Sequence, residues 1–286
     1  MVSNDKLIPS LTNKVGQTRM SKAFRFLFIA LSLILISFNE KQPLMADQST
    51  SKISLNFSTT EWCPYICNDK SKPGFAVEYL QQIFKQAQLD IEYKIMPWSR
   101  AIFLAKQGKD FDGLLTASNT EAPGMKLTNS PSFSYRACFY GKKTFAWKYE
   151  DLESVKEIRL GAIQSYGYSE DLDKYISQKP KNVEIITDRD SLNRFTKLLD
   201  SGRIDVFVGD QNVVHYQTKL ERIKELGCLP KNDVFIALNP KYKHVDEVIE
   251  RLDKVMQNKS NKELFQDLKN KYLKNQKLSE HSFQRL

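Results

Sequence analysis

From Ile53 onward, apolar and polar positions fall into short runs that switch between two periods. Ile53-Ser-Leu-Asn-Phe57 alternates strictly, which predicts a strand with one buried face. Val77, Leu80, Phe84 and Ala87 recur at helical spacing and predict a helix over 75–88. Ile91–Met96 reads as a strand. Pro97 ends it and opens a helix through Ala101 to Lys106, since proline is tolerated in a first turn, and Gly108 stops that helix. Phe111–Thr116 predicts a third strand, and a loop rich in Ser, Asn, Pro and Gly follows to Pro131. The plan then repeats: strand 158–163, helix 166–177, strand 183–187, helix 191–200, strand 204–208, and a helix opened by Asp210 that runs through Tyr216 to Leu220. Val234–Asn239 is extended, and 244–257 and 262–273 are helical. Strands alternating with helices predict parallel βαβ units, with helices on both faces of each sheet.

A local phrase occurs in both halves. Leu104-Ala-Lys-Gln-Gly108 precedes Phe111-Asp112 and a strand; Leu198-Leu-Asp-Ser-Gly202 precedes Ile204-Asp205 and a strand. Two lobes built alike are therefore expected. The chain leaves the first lobe near 134–138 and returns near 234–239, and two extended crossings make a hinge. The predicted organisation is 47–136 plus 235–286 in the first lobe and 137–234 in the second.

Residues 1–46 read as an N-terminal extension and signal peptide. Lys22 and Arg25 precede the apolar run Phe26–Phe38, at about 13 residues short for a membrane span and suited to a leader. Cleavage is expected after Ala46, and Met20 looks the more natural start; an uncleaved anchor is the alternative. The expected location is the periplasm. The four cysteines fit export. The expected disulfides are Cys63–Cys67, around Pro64, and Cys138–Cys228, with buried free thiols as the alternative.

The 43 Lys+Arg against 34 Asp+Glu are spread along the chain. The densest basic run, Lys259, Lys262, Lys269, Lys271, Lys274 and Lys277, has the spacing of a solvated helix face. No basic patch is interleaved with stacking aromatics, so nucleic acid is not an expected partner. His215, His244 and His281 are not at ligand spacing, so no metal is expected. No G-x-S-x-G, phosphate-loop or dinucleotide pattern occurs, so neither catalysis nor a cofactor is expected.

Open α/β sheets bind ligands beyond the carboxyl ends of their strands. That rule selects Trp62 and Tyr65 after the first strand, and Thr116, Ser118 and Asn119 after the third. In the second half it selects Gln164, Ser165 and Tyr166, expected at a helix N-terminus suited to an anionic group, and Asp210. Arg100 joins them, because a cation early in a helix gains nothing from the dipole and points to a specific partner, a ligand carboxylate or Asp112. Each has a plainer reading. Asp210 and Ser165 are also helix caps in prospect, Trp62 is also lobe-edge packing, and Trp98 is core or cleft wall.

Four blocks, in order, carry a resemblance to a family. EWCPYICNDKSKPGFAVEYLQQIF from Glu61, MPWSRAIFLAKQGKDFDGLLTASNT from Met96, RLGAIQSYGYSEDLDKY from Arg159 and SGRIDVFVGDQNV from Ser201 resemble family 3 extracellular solute-binding proteins, and IALNPKY matches their return crossing. Glu78 fits the acidic residue of their first helix. The resemblance covers about Ile53 to Leu273. It implies a two-lobed type II periplasmic-binding-protein fold, each lobe a mostly parallel sheet flanked by helices and joined by two crossing segments. It also implies a monomer that captures a small polar solute, an amino acid or derivative among the candidates, and hands it to an ABC transporter permease. In it Asp210 accepts a ligand ammonium. An enzyme of dehydratase type and a sensory or partner-binding module are the alternatives on this scaffold. One departure stands out. Where the family carries a Thr-x-Glu-Arg phrase whose Arg grips the ligand's α-carboxylate, this chain has Asn119-Thr-Glu121-Ala-Pro-Gly-Met-Lys126. Lys126 is the nearest substitute, without the bidentate fork of Arg.

Overall fold

The computed structural model describes residues 53–283 except 188, 189 and 219, with side chains to Lys274. The leader at 1–46 lies outside the described residues. In chain order the elements are β1 (Ile53–Thr59), α1 (Phe75–Gln86), β2 (Leu89–Ile95), α2 (Trp98–Gln107), β3 (Gly113–Ala117), β4 (Lys126–Leu127) and β5 (Phe133–Lys142). Then follow α3 (Leu152–Lys156), β6 (Leu160–Ile163), α4 (Glu170–Ser177), β7 (Val183–Ile186), α5 (Ser191–Asp200), β8 (Val206–Asp210), α6 (Gln211–Gln217), β9 (Ile223–Leu238), α7 (Val245–Met256) and α8 (Lys259–Phe283).

The strands run in the order β2-β1-β3-β9-β5-β8-β6-β7, with β4 beside β9. β1 is parallel to β2 and β3, and β6 is parallel to β7 and β8. The parallel pairing expected on each side is present. β5 and β9 are antiparallel to each other from Phe133↔Val234 to Lys142↔Ile223, and they carry the chain between the two sides. The sheet's end residues differ from the expectation at that point: β9 begins at Ile223 rather than near Val234, and β4 lies inside the expected loop.

Packing follows the apolar pattern. α1 buries Phe75, Val77, Leu80, Ile83 and Phe84 in the core, Phe84 against Phe57 of β1 and Phe75 against Phe265 of α8, each side chain contributing roughly 1.5–3 kcal/mol of transfer free energy. α2 ends at Gly108, whose φ of 65° is left-handed, and the Asn239 side-chain amide donates to the last carbonyls of that helix, Ala105 and Lys106, at 2.8 and 3.0 Å.

The repeated phrase has one structural role in both halves. Asp112 accepts the Asn56 N–H at 2.8 Å and its own N–H donates to the Asn56 carbonyl at 2.7 Å. Asp205 accepts the Arg159 N–H at 2.9 Å and donates back to the Arg159 carbonyl at 2.8 Å. Each Asp fastens the start of its strand to the neighbouring strand, behind a glycine of φ 65°. Both expected disulfides are formed, Cys63–Cys67 and Cys138–Cys228, the second joining β5 to β9. Among the described residues no helix is long and apolar enough to cross a membrane.

Candidate functional site

A cavity of ≈ 630 Å³ lies where the 60–62 and 95–97 segments face β8, α5 and α6. A second, of ≈ 40 Å³, adjoins it. Thr60, Trp62, Tyr166 and Asp210 line both. The walls of the larger one are mostly apolar, with Ile163, Phe195, Phe207, Val213 and Val214 among them.

Trp62 and Tyr65 come from a tight loop closed by the Trp62–Ile66 bridge and the Cys63–Cys67 disulfide, with a cis Cys63–Pro64 peptide. Their rings stack at 4.0 Å with an interplanar angle of 9°, and Tyr135 meets the Trp62 ring edge-on at 5.2 Å. Trp62 is thus a cavity wall backed by aromatic packing. The chain passes so close that a Cβ at Gly74 would lie 2.1 Å from the Tyr65 carbonyl oxygen, and the φ there is +106°. Only glycine meets both demands.

Tyr65 is buried, and its hydroxyl donates to Asp210 Oδ2 at 3.1 Å while accepting from Asn212 Nδ2 at 2.6 Å. Asp210 Oδ1 accepts the Val213 N–H at 2.8 Å, so Asp210 is the N-cap of α6 as well as a cavity residue. Burial pushes its carboxyl up to about 7, against the lowering effect of the hydrogen bonds from Val213, Tyr65 and Asn212 and of the Lys269 charge. Near neutrality Asp210 is therefore only partly ionised.

A second buried carboxylate was not marked out by the sequence. Glu121 Oε1 accepts from Trp98 Nε1 at 3.1 Å and from the Gly167 N–H at 3.0 Å. Its Oε2 accepts from the Ser118 N–H and Oγ, both at 2.8 Å. Burial raises its pKa, while the backbone bonds from Ser118 and Gly167 oppose that. Four donors converge on it from both sides of the cleft. Around it, Thr120 donates to Asp173 at 2.7 Å, and Tyr135 donates to the Gly167 carbonyl. Gly167 is required by proximity: a Cβ there would meet Ser118 Oγ at 2.4 Å and Thr120 Oγ1 at 2.7 Å. Glu121 is the one acid of the 117–132 loop, but the convergence of Trp98 and Gly167 on it is a tertiary property.

Of the residues selected from sequence, Trp62, Thr116, Tyr166 and Asp210 line a cavity, and Tyr65 and Ser118 hydrogen-bond the Asp210 and Glu121 carboxylates. Trp98 lines the smaller cavity as a cleft wall. Asn119, Gln164, Ser165 and Arg100 are exposed and are not among the described residues that line either one. The helix expected from Tyr166 starts instead at Glu170, capped by Ser169. That cap is extended, at φ −162° and ψ 158°, so helical backbone begins only after it, while the Gly167 and Tyr168 N–H groups before it donate to the Glu121 and Asp173 carboxylates. Ser165 is consequently no cap but a turn residue of φ 64°, with its Oγ 3.3 Å from Ser99 Oγ. Gln164 to Tyr166 thus form no helix N-terminus for an anion. Arg100 has no ion pair among the described residues, and Asp112 is held by Asn56 instead. Lys126 does not replace the missing Arg: it pairs with Asp246. Glu78 accepts from the Tyr272 hydroxyl at 2.5 Å and faces Lys271 at 3.5 Å, tying α1 to α8.

No family model matches the sequence. No curated protein matches it in sequence either. Many solved structures match in fold. A histidine kinase sensor domain with similarity to periplasmic binding proteins aligns with a TM-score of 0.62 at 17% identity, over 78% of this chain and 96% of its own. An amino acid ABC transporter substrate-binding protein from Streptococcus pneumoniae, bound to L-arginine, aligns at 0.60 and 14% identity over 79% and 97%. An ancestral amino-acid-binding protein, a precursor of cyclohexadienyl dehydratase, aligns at 0.58 and 17% over 77% and 95%. Four-fifths of the chain, with its paired parallel strand sets and two crossing strands, therefore has the two-lobed α/β fold of type II periplasmic binding proteins.

Proposed function

We propose that the protein is an exported solute-binding protein of the family 3 type. It closes around one small polar solute, with 47–136 plus 235–286 as one lobe and 137–234 as the other. One observation carries this reading: a single cavity is lined by Thr60 and Trp62 from one side and by Tyr166 and Asp210 from the other. Hydrogen bonds that cross the cleft, Gly167 to Glu121 and Thr120 to Asp173, are those a closing motion would make. Closure is then driven by the solute's greater affinity for the closed state. The two disulfides suit an oxidising compartment and support a periplasmic location. Delivery of the solute to an ABC transporter permease, by a monomer, completes the reading.

The test is a thermal-shift panel of small polar compounds, followed by small-angle scattering on any that raise Tm. A rise in Tm with a smaller radius of gyration supports it; no shift across a broad panel sinks it. The likeness to a sensor domain favours a second reading, a module that reports the solute rather than transporting it. Loss of solute uptake in a strain lacking the protein separates transport from sensing. The likeness to a dehydratase precursor is tested by product analysis, and an unchanged solute is expected.

A further inference from the structure

We propose that the solute is an organic amine that carries no carboxylate, and that Glu121 is the residue that excludes carboxylates. This rests on the reading of the cavity as a solute site and names its ligand class. A carboxylate needs converging donors or a cation. In this cleft the converging donors already hold a carboxylate, that of Glu121, through Trp98, Ser118 and Gly167. Among the described residues no Lys, Arg or His lines either cavity. Lys126 and Arg100, the cations closest in sequence to that loop and to α2's start, lie elsewhere, one paired with Asp246 and the other exposed. Among the described residues, the ionisable groups that line the cavities are the carboxyls of Glu61, Asp190, Asp210 and Glu121 and the phenols of Tyr135, Tyr166 and Tyr168.

Among the described residues, a solute carboxylate would thus meet like charge with no compensating cation, which is discrimination by repulsion. An ammonium meets the opposite conditions. The Asp210 carboxylate is available to it at the junction of the two cavities. The Trp62 and Tyr166 rings beside that carboxylate favour a cation further. The apolar walls at Phe195 and Phe207 leave room for a hydrocarbon body.

The experiment is isothermal titration of the full chain, disulfides intact, at pH 8, with matched pairs: phenylalanine and phenethylamine, lysine and cadaverine, arginine and agmatine. Glucose and succinate serve as neutral and anionic controls. The expected result is that at least one amine binds at least about tenfold tighter than its parent amino acid, and that no amino acid exceeds its amine. In Glu121→Ser, which frees the Ser118 and Gly167 N–H groups, the preference shrinks towards parity. An amino acid that binds as tightly as its amine in the wild type, or binding of a control alone, overturns the ligand class and leaves the solute-site reading standing. Failure of every compound to bind overturns the solute-site reading and the ligand class with it. Should Glu121→Ser not fold, the wild-type pairs decide.

Discussion

Asp210→Asn removes a carboxylate whose charged form the fold disfavours. Burial raises the carboxyl from an ordinary 3.8 to about 7. The folded state therefore binds a proton between those limits that the unfolded state has released. The resulting stability is fully present below about pH 4 and is lost as pH rises through about 7. About three pKa units at 1.36 kcal/mol each set a ceiling of about 4 kcal/mol. Part of the side chain reaches the cavity, so about 2–4 kcal/mol is the working range. The amide keeps an oxygen for the Val213 N–H, so the structural offset of the substitution does not vary with pH. Glu121 and Asp173, whose pKa values burial also raises, contribute equally to wild type and variant and cancel in the difference. The charged or titratable groups facing Asp210 are Tyr65, Tyr135 and Tyr140, all pushed upward, and Lys269, which burial pushes down. Urea unfolding, followed by tryptophan fluorescence at pH 4.5, 6 and 8, measures the result. The variant should gain on the wild type as pH rises and level off above 7. A difference that stays flat, or a wild type that gains, refutes the burial argument.

Gly167→Val places a side chain against Ser118 and Thr120, so it should hold the cleft open; a scattering curve no larger than wild type would contradict this. Replacing both Cys138 and Cys228 with Ser removes a link of sequence separation 90 and should lower stability by about 2–5 kcal/mol. Opening Cys63–Cys67, of separation 4, should cost less in the same denaturation assay. Gly74→Ala should cost at least about 2 kcal/mol, from its φ and from the Tyr65 carbonyl; a neutral melting temperature would show that the loop gives way.

Where the sequence was readable, the reason was local. Gly108 ends α2 and Asp210 opens α6 because backbone geometry and a cap need only neighbours in the chain. The inner strands were legible because burial on both faces leaves apolar runs such as Leu160–Ile163, and β1 because its first residues alternate. β9 was legible only at its end. Ile223–Asp233 mixes Lys, Glu, Gly, Pro and Asn with single apolar residues, and it becomes a strand through its partner β5. The helix start at 166 failed because the backbone is left-handed at Ser165 and extended at Ser169, a loop shape that the residue types there do not announce. Glu121 had one local signal, the Ser118-x-x-Glu121 spacing that supplies two of its four donors; the other two, from Trp98 and Gly167, come from distant segments.

The Cys138–Cys228 link sits between the two strands that carry the chain across. Two unlinked ribbons can slide past one another, and their ends can then swing along independent paths. A covalent rung forbids that shear and leaves twisting and bending of the pair as one beam. On the proposed reading, the two lobes would move as arms on a single torsion bar. On the same reading, the Glu121–Gly167 and Thr120–Asp173 bonds would latch the two arms together.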